Sequence, residues 1–159
     1  MSRPIQALID PAALEHNLAI VRRHAPRSRV MAVIKADAYG HGLLRAAEAL
    51  AEAEGFALLE LDAAVRLREA GYRQTILLLE GFFDVDELRW IEQCHLSTVV
   101  HHPEQLAMLE AVRRRATLDV FLKLNSGMNR LGFTPQEFPA ALEPHQERLF
   151  PRANRRCAA

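Results

Sequence analysis

The sequence contains few of the residues that mark disulfide-rich, zinc-binding or membrane proteins. Only two of its 159 residues are cysteines, Cys94 and Cys157, and their separation fits neither a redox motif nor a zinc site. No stretch is long and apolar enough to cross a bilayer, and the first ten residues lack the apolar core of a secretory signal. The sequence therefore predicts a protein of the reducing cytoplasm.

Charge and metal-ligand spacing also give no sign of a nucleic-acid or metal partner. Twenty basic and twenty acidic residues leave no net charge, so the sequence lacks the basic balance typical of nucleic-acid binding. Carboxylates with metal-ligand spacing are missing, so the sequence implies no metal. Half of the residues are hydrophobic and a quarter are charged, which is typical of one globular unit.

Predicted helices and strands alternate along the chain. Strands are expected to begin near residues 30, 56, 76, 97 and 118, a spacing of about 20 to 26 residues, which is typical of parallel α/β folds. No Gly-x-Gly-x-x-Gly follows any of them, which counts against a dinucleotide-binding sheet. We therefore expect an incomplete (β/α) TIM-type barrel, with about five of the eight parallel strands.

Residues at the helix ends fit this alternation. Asp10, Asp62 and Asp84 are each placed to cap a following helix, and Glu87 completes a capping-box spacing with Asp84. Trp90 lies at helical spacing among apolar residues and is expected to pack into the core.

The segment RVMAVIKADAYGHG, residues 29–42, combines an apolar strand with a polar turn. Strand alternation puts Met31, Val33 and Lys35 on one face, so Lys35 would be the last inward-pointing residue of its strand. An unpaired ammonium is disfavoured in such a place, so Lys35 needs a polar partner, a cofactor or solvent. Gly40 and Gly42 would let the backbone turn sharply after it.

Two motifs, VIKADAYGHG and the later LKLNSGMNRLGF, occur in the order found in alanine racemases, and the chain resembles this family over roughly residues 5 to 142. IDPAALEHNL and LREAGYRQTILLLEGF support the resemblance. Family members are pyridoxal-phosphate enzymes with an N-terminal barrel. The resemblance implies interconversion of L-alanine and D-alanine, D-alanine supply for cell-wall peptidoglycan, and a homodimer for the full-length enzyme.

The resemblance also implies roles for four residues. Lys35 matches the lysine that carries the cofactor and acts as a base on one face of the substrate. Tyr39 matches a tyrosine that contacts the cofactor phosphate, and Arg130 matches an arginine near the cofactor's phenolic oxygen and the substrate carboxylate. Lys123 matches a lysine that is carbamylated in some members, and the sequence leaves open whether it is modified here. Asp37 and His41 complete the first motif without a role that the sequence reveals.

The family's second catalytic base is a tyrosine from a C-terminal β domain that has no counterpart here, and the two tyrosines present are Tyr39 and Tyr72. We expect residues 1–145 to form the N-terminal part of the barrel and residues 146–159 to form a disordered, arginine-rich tail. A truncated racemase, inactive alone, is the first interpretation. A non-catalytic pyridoxal-phosphate-binding barrel module and an inert truncated fragment are the alternatives.

Overall fold

A computed structural model of the protein describes residues 5–112 and 118–143. The tail expected at residues 146–159 lies outside these described residues. Strands and helices alternate as expected. The strands are β1 (Met31–Val33), β2 (Gly55–Leu58), β3 (Thr75–Leu78), β4 (Ser97–Val100) and β5 (Val120–Leu122). The helical segments are α1 (Pro11–His24), α2 (Lys35–Tyr39), α3 (Leu43–Ala49), α4 (Leu61–Glu69), α5 (Val85–Gln93), α6 (Pro103–Ala111) and α7 (Phe138–Leu142).

The five strands form one parallel sheet in the order in which they occur in the chain, β1-β2-β3-β4-β5. Each neighbouring pair is joined through at least one helix, which is the repeat of a (β/α) barrel. The sheet is not closed, because β1 and β5 are its two edges. The prediction of an incomplete TIM-type barrel with five parallel strands is therefore confirmed.

The two faces of the sheet differ in how completely they are covered. The outer face packs against the helices in the main core, with fully buried side chains such as Phe56, Ile76 and Val100. The inner face holds a smaller apolar cluster around Ala57, Leu77 and Val99. At the edges this face is open to solvent, since Val33 is 45% and Phe121 is 47% exposed. The concave side of the partial barrel is thus its accessible side.

Helix starts follow the predicted caps at two of three positions. The Asp10 carboxylate accepts a hydrogen bond from Ala12 N at 3.0 Å, and the Asp84 carboxylate accepts one from Glu87 N at 2.9 Å. The prediction for Asp62 is wrong, because α4 already begins at Leu61 and Asp62 lies in its first turn.

The prediction that Trp90 packs into the core is also wrong, since its side chain is 53% exposed. Helix α5 buries Leu88 and Ile91 instead, and these two residues fill the stripe that faces the sheet. Within the described residues, none of the helices has the length and apolar character needed to span a membrane.

Side chains also fix the loops at the N-terminal ends of the strands. The Arg68 guanidinium donates to the backbone oxygens of Tyr72, Gln74, Cys94 and His95 at 2.8–2.9 Å. Burial lowers the pKa of Arg68 and raises the pKa of the adjacent Cys94 thiol. A cavity of about 510 Å³ lies beside Arg68 at this end of the sheet. Arg68 thus holds the loops together at this end of the sheet.

Alanine substitutions at two glycines with positive φ distinguish the energetic cost of backbone conformation from the cost of close packing. Gly71 (φ 92°) has open space where a Cβ would lie, whereas a Cβ on Gly81 (φ 81°) would overlap the Val99 carbonyl oxygen. We expect Gly71→Ala to lower the free energy of unfolding by about 1 kcal/mol. Gly81→Ala should cost about 1–3 kcal/mol more, because the backbone oxygen cannot move aside. Urea denaturation of both variants measures the difference, and equal losses would contradict the overlap.

Candidate functional site

The carboxyl ends of the five strands lie at one end of the sheet, where barrel proteins carry their functional residues. Lys35 follows β1 and Lys123 follows β5 at this end. They are the only two lysines among the twenty basic residues of the sequence. No other lysine is therefore a candidate for this end of the sheet.

The local geometry of Lys35 differs from the expected strand end. β1 ends at Val33, and Ile34 N continues the ladder to Ala57 O at 2.9 Å, but Ile34 has a ψ of 29° that is no longer extended. Strand alternation therefore does not orient Lys35, and the prediction that it ends the strand is wrong. Lys35 begins α2 and is half-buried.

Segment α2 is a single turn of left-handed helix. Ala36, Asp37, Ala38 and Tyr39 have φ values of 51–56°, and Gly40 follows at 85°. Ala38 N donates to Ile34 O at 3.0 Å and Gly40 N to Ala36 O at 3.2 Å, the spacing of a helical turn. L-residues enter this region singly as a rule, so a run of four without glycine is unusual.

Contacts with the following helix hold this turn. The Asp37 carboxylate accepts a hydrogen bond from Leu43 N at 2.7 Å, and its backbone oxygen accepts one from Gly42 N at 2.9 Å. His41 Nδ1 lies 2.7 Å from Ala38 O. Asp37 thus connects the turn to α3, while the His41 ring contacts the turn itself; the sequence assigned a role to neither residue.

The expected site residues on this side of the sheet are close together. Tyr39 ends the turn that Lys35 begins, and its side chain is 61% exposed. Gly40 and Gly42 both have positive φ, as the expected sharp turn requires. In the part of the chain that the structure describes, the Lys35 ammonium and the Tyr39 phenol have no hydrogen-bond or ionic partner.

The second motif forms a loop that folds back onto β5. Lys123 N extends the ladder to Val100 O at 2.9 Å, and Lys123 O accepts a hydrogen bond from Phe133 N at 2.9 Å. Asn125 N donates to Phe133 O at 2.8 Å, and Phe133 is buried. The loop between these two anchors carries Arg130, whose side chain is exposed.

The structure brings the expected residues together as two pairs. Lys123 continues the extended β5 ladder, and alternation from Phe121 places it on the inner face. Lys35 and Tyr39 lie beyond one edge strand of the sheet, and Lys123 and Arg130 lie beyond the other. No hydrogen bond or ion pair among the described residues joins the two pairs. The open concave face lies between them.

Between the two edge strands, the buried side-chain amide of Gln105 links the ends of β3 and β4. The sequence did not predict this residue. Gln105 Nε2 donates to Glu80 O and Phe82 O at 3.1 Å, and its Oε1 accepts from His101 N at 2.9 Å. His101 Nε2 also lies 3.0 Å from Glu80 O. No group of three potential metal ligands occurs in the described ranges 5–112 and 118–143.

The sequence profile described as "Alanine racemase, N-terminal domain" matches residues 9–151. The chain therefore belongs to this family. An alanine racemase of Nitrosospira multiformis is 95% identical over 143 residues, which cover 90% of this chain and 40% of that protein. An alanine racemase of Nitrosomonas europaea is 62% identical over 137 residues, covering 86% of this chain and 38% of that protein. The chain thus spans about 40% of the length of these curated relatives.

Solved structures show the same partial barrel. The crystal structure of the biosynthetic alanine racemase of Pseudomonas aeruginosa has a TM-score of 0.83 at 39% identity, covering 87% of this chain and 39% of that one. A histidine racemase of Leuconostoc mesenteroides has a TM-score of 0.75 at 30% identity, covering 87% of this chain and 38% of that one. Two racemases with different amino acids in their names thus share this part of the fold.

The Asn125 side chain organises the loop that carries Arg130. Its Oδ1 accepts hydrogen bonds from Gly127 N at 3.2 Å and Asn129 N at 3.0 Å, and its Nδ2 donates to Asn129 Oδ1 at 3.1 Å. We expect Asn125→Ala to speed amide exchange at residues 127 and 129 by about fivefold or more, because both donors lose their acceptor. Asn125→Asp keeps the acceptor and should stay near the wild-type rate. Hydrogen-exchange mass spectrometry separates these outcomes, and equal rates in all three proteins would show that the loop does not depend on Asn125.

Proposed function

We propose that this chain is the cofactor-carrying half of a pyridoxal-phosphate-dependent alanine racemase. The observation that carries the proposal is the turn after β1, which presents a half-buried lysine and an exposed tyrosine at the carboxyl end of a barrel strand. Membership of the alanine racemase N-terminal family supports it. The reaction would interconvert L-alanine and D-alanine and supply D-alanine for peptidoglycan.

The donor set at β1 fits the chemistry of pyridoxal phosphate. This cofactor presents an aldehyde and a phosphate, which call for an amine and for hydrogen-bond donors. Lys35 supplies the amine and Tyr39 a phenolic donor, and neither group is engaged elsewhere in the described part of the chain. When bound, pyridoxal phosphate withdraws electrons from the substrate carbon and makes its α-proton removable.

Each residue of the site has a distinct task in this proposal. Lys35 would hold the cofactor until the substrate amine takes its place, and its freed Nζ would then remove or return the α-proton on one face of the substrate. Tyr39 donates its phenolic hydrogen to a phosphate oxygen. The planar guanidinium of Arg130 suits a substrate carboxylate, because its fork of N–H donors matches two oxygens. A carbamate on Lys123 would give Arg130 an acceptor that keeps the fork in place.

The identity of the substrate rests on sequence similarity more than on fold. The histidine racemase of Leuconostoc mesenteroides shares the fold at 30% identity, so the architecture alone does not select alanine. The relatives at 95% and 62% identity are both alanine racemases, which favours alanine as the substrate here. We also propose a cytoplasmic location and a homodimeric full-length enzyme, in keeping with the family resemblance.

Cofactor binding without racemisation is the second candidate function, and the position of Tyr72 bears on it. Tyr72 precedes β3 at the N-terminal end of the sheet, and its ring packs edge-on against Phe56 with centroids 5.5 Å apart. Burial raises the pKa of this phenol, which keeps it protonated at neutral pH. Tyr39 is the other tyrosine, on the same turn as Lys35. The opposite substrate face therefore receives no tyrosine from this chain.

The site assignment can be tested through the two lysines. We expect pyridoxal phosphate and borohydride to label Lys35 in the wild-type chain and in Lys123→Arg, but not in Lys35→Arg. Borohydride reduction makes the bond between the cofactor and its lysine permanent, so the label marks the lysine that carries the cofactor. Peptide mass spectrometry locates the label. Equal labelling of Lys35, Lys123 and the N-terminal amine would indicate unselective reaction and would remove the basis of the assignment.

The chain alone should not racemise alanine. With pyridoxal phosphate and L-alanine, we expect no D-alanine above the level formed by free cofactor, because the base on the second face is missing. A coupled D-amino-acid oxidase assay measures the product, and Lys35→Arg is the matched control. Production that depends on Lys35 would refute this expectation, and loss of that production in Tyr72→Phe would identify Tyr72 as the second base.

A further inference from the structure

We propose that Asp37 is a positioning residue for the cofactor site. Its carboxylate, bonded to Leu43 N, holds the left-handed turn that presents Lys35 and Tyr39. This inference rests on the proposed function and adds a requirement to it. Asp37 does not contact substrate or cofactor in this role, since it acts through the backbone on either side.

The turn needs external support because its conformation is intrinsically unfavourable. An L-residue in the left-handed helical region costs about 1–2 kcal/mol, and Ala36 and Ala38 have no polar side chain to offset this. Strained backbone of this kind persists where the surrounding structure holds it, and it clusters at functional sites.

Both ends of the turn are anchored in rigid structure. On one side, Ile34 is buried and still hydrogen-bonded to β2. On the other side, α3 begins at Leu43, and its buried residues Leu43, Ala46 and Ala47 belong to the main core. Ala38, at the middle of the turn, is only 5% exposed and packs in the same core. What remains to be fixed is the link between the turn and α3.

Asp37 supplies this link by capping α3 from a distance. The residue at the N-cap position of α3 is Gly42, which has no side chain to accept the first free N–H groups of the helix. Asp37, six residues before Leu43, accepts that hydrogen bond instead at 2.7 Å. An ordinary cap lies next to its helix and fixes only the helix end. Here the cap lies inside the turn, so the same bond also fixes the turn.

The test compares Asp37→Ala with two controls in the full 159-residue chain. Asp37→Asn keeps an acceptor oxygen, and asparagine tolerates positive φ. Asp84→Ala removes an equivalent capping carboxylate from α5, two strands away from Lys35. It should lower stability to a similar extent without affecting the turn. Two quantities are measured: the exchange rate of the Leu43 amide, and the ratio of Lys35 to Lys123 modification by acetic anhydride.

We expect Asp37→Ala to raise the Leu43 exchange rate by about fivefold, the factor that corresponds to one capping hydrogen bond. The Lys35 to Lys123 modification ratio should change by a similar factor, because Lys35 loses its fixed environment. Asp37→Asn should stay within about twofold of the wild type in both, and Asp84→Ala should change neither. In the borohydride experiment, Asp37→Ala should also label Lys35 about fivefold less.

Unchanged Leu43 exchange in Asp37→Ala would overturn the inference, and so would faster exchange with an unchanged lysine ratio. An equal effect of Asp84→Ala on the lysine ratio would also overturn it, because the change would then reflect general loss of stability. Neither measurement uses the cofactor. If the wild-type chain fails to take up pyridoxal phosphate at Lys35, the proposed function fails, while exchange and acylation still decide the role of Asp37.

Discussion

The parallel hydrogen-bond ladder determines where every residue of the candidate site lies. Because β1 to β5 all run in the same direction, their carboxyl ends meet at one end of the sheet, and Lys35 and Lys123 follow two of these ends. Two backbone hydrogen bonds continue the ladder beyond the strands. They run from Ile34 N to Ala57 O and from Lys123 N to Val100 O. The ladder thus sets the position of each turn, and short-range contacts then set its shape.

The two ends of the sheet use polar groups in different ways. At the N-terminal end, Arg68 donates four hydrogen bonds to backbone carbonyls and so links the loops there. At the carboxyl end, Lys35 and Tyr39 have no partner among the described residues, while Asp37 holds the turn that carries them and Gln105 links the ends of β3 and β4. Bonded supporting groups beside unbonded candidate groups are the pattern expected of a preorganised site.

Much of the fold followed from local sequence patterns, but the shape of the site did not. The barrel class was predictable because strand spacing and apolar runs repeat along the chain. Periodicity failed for Trp90, since Leu88 and Ile91 already fill the buried stripe of α5. It also failed at Lys35, because the left-handed turn is stabilised by burial of Ala38 and by the bond from Asp37 to Leu43. One is burial in the core and the other is a bond across six residues, and neither can be read from the helix or strand preference of the residues in the turn.

In the proposed function, cofactor binding and turnover depend on different parts of the structure. Lys35, the proposed cofactor lysine, lies in the turn after β1, and that turn is anchored on both sides. Racemisation in addition requires a proton donor and acceptor on the opposite face of the substrate. The concave side, where such a group would have to stand, is bordered by the exposed side chains of Val33 and Phe121. Under this proposal, the anchored turn would support cofactor attachment, and racemisation would depend on what covers the concave face.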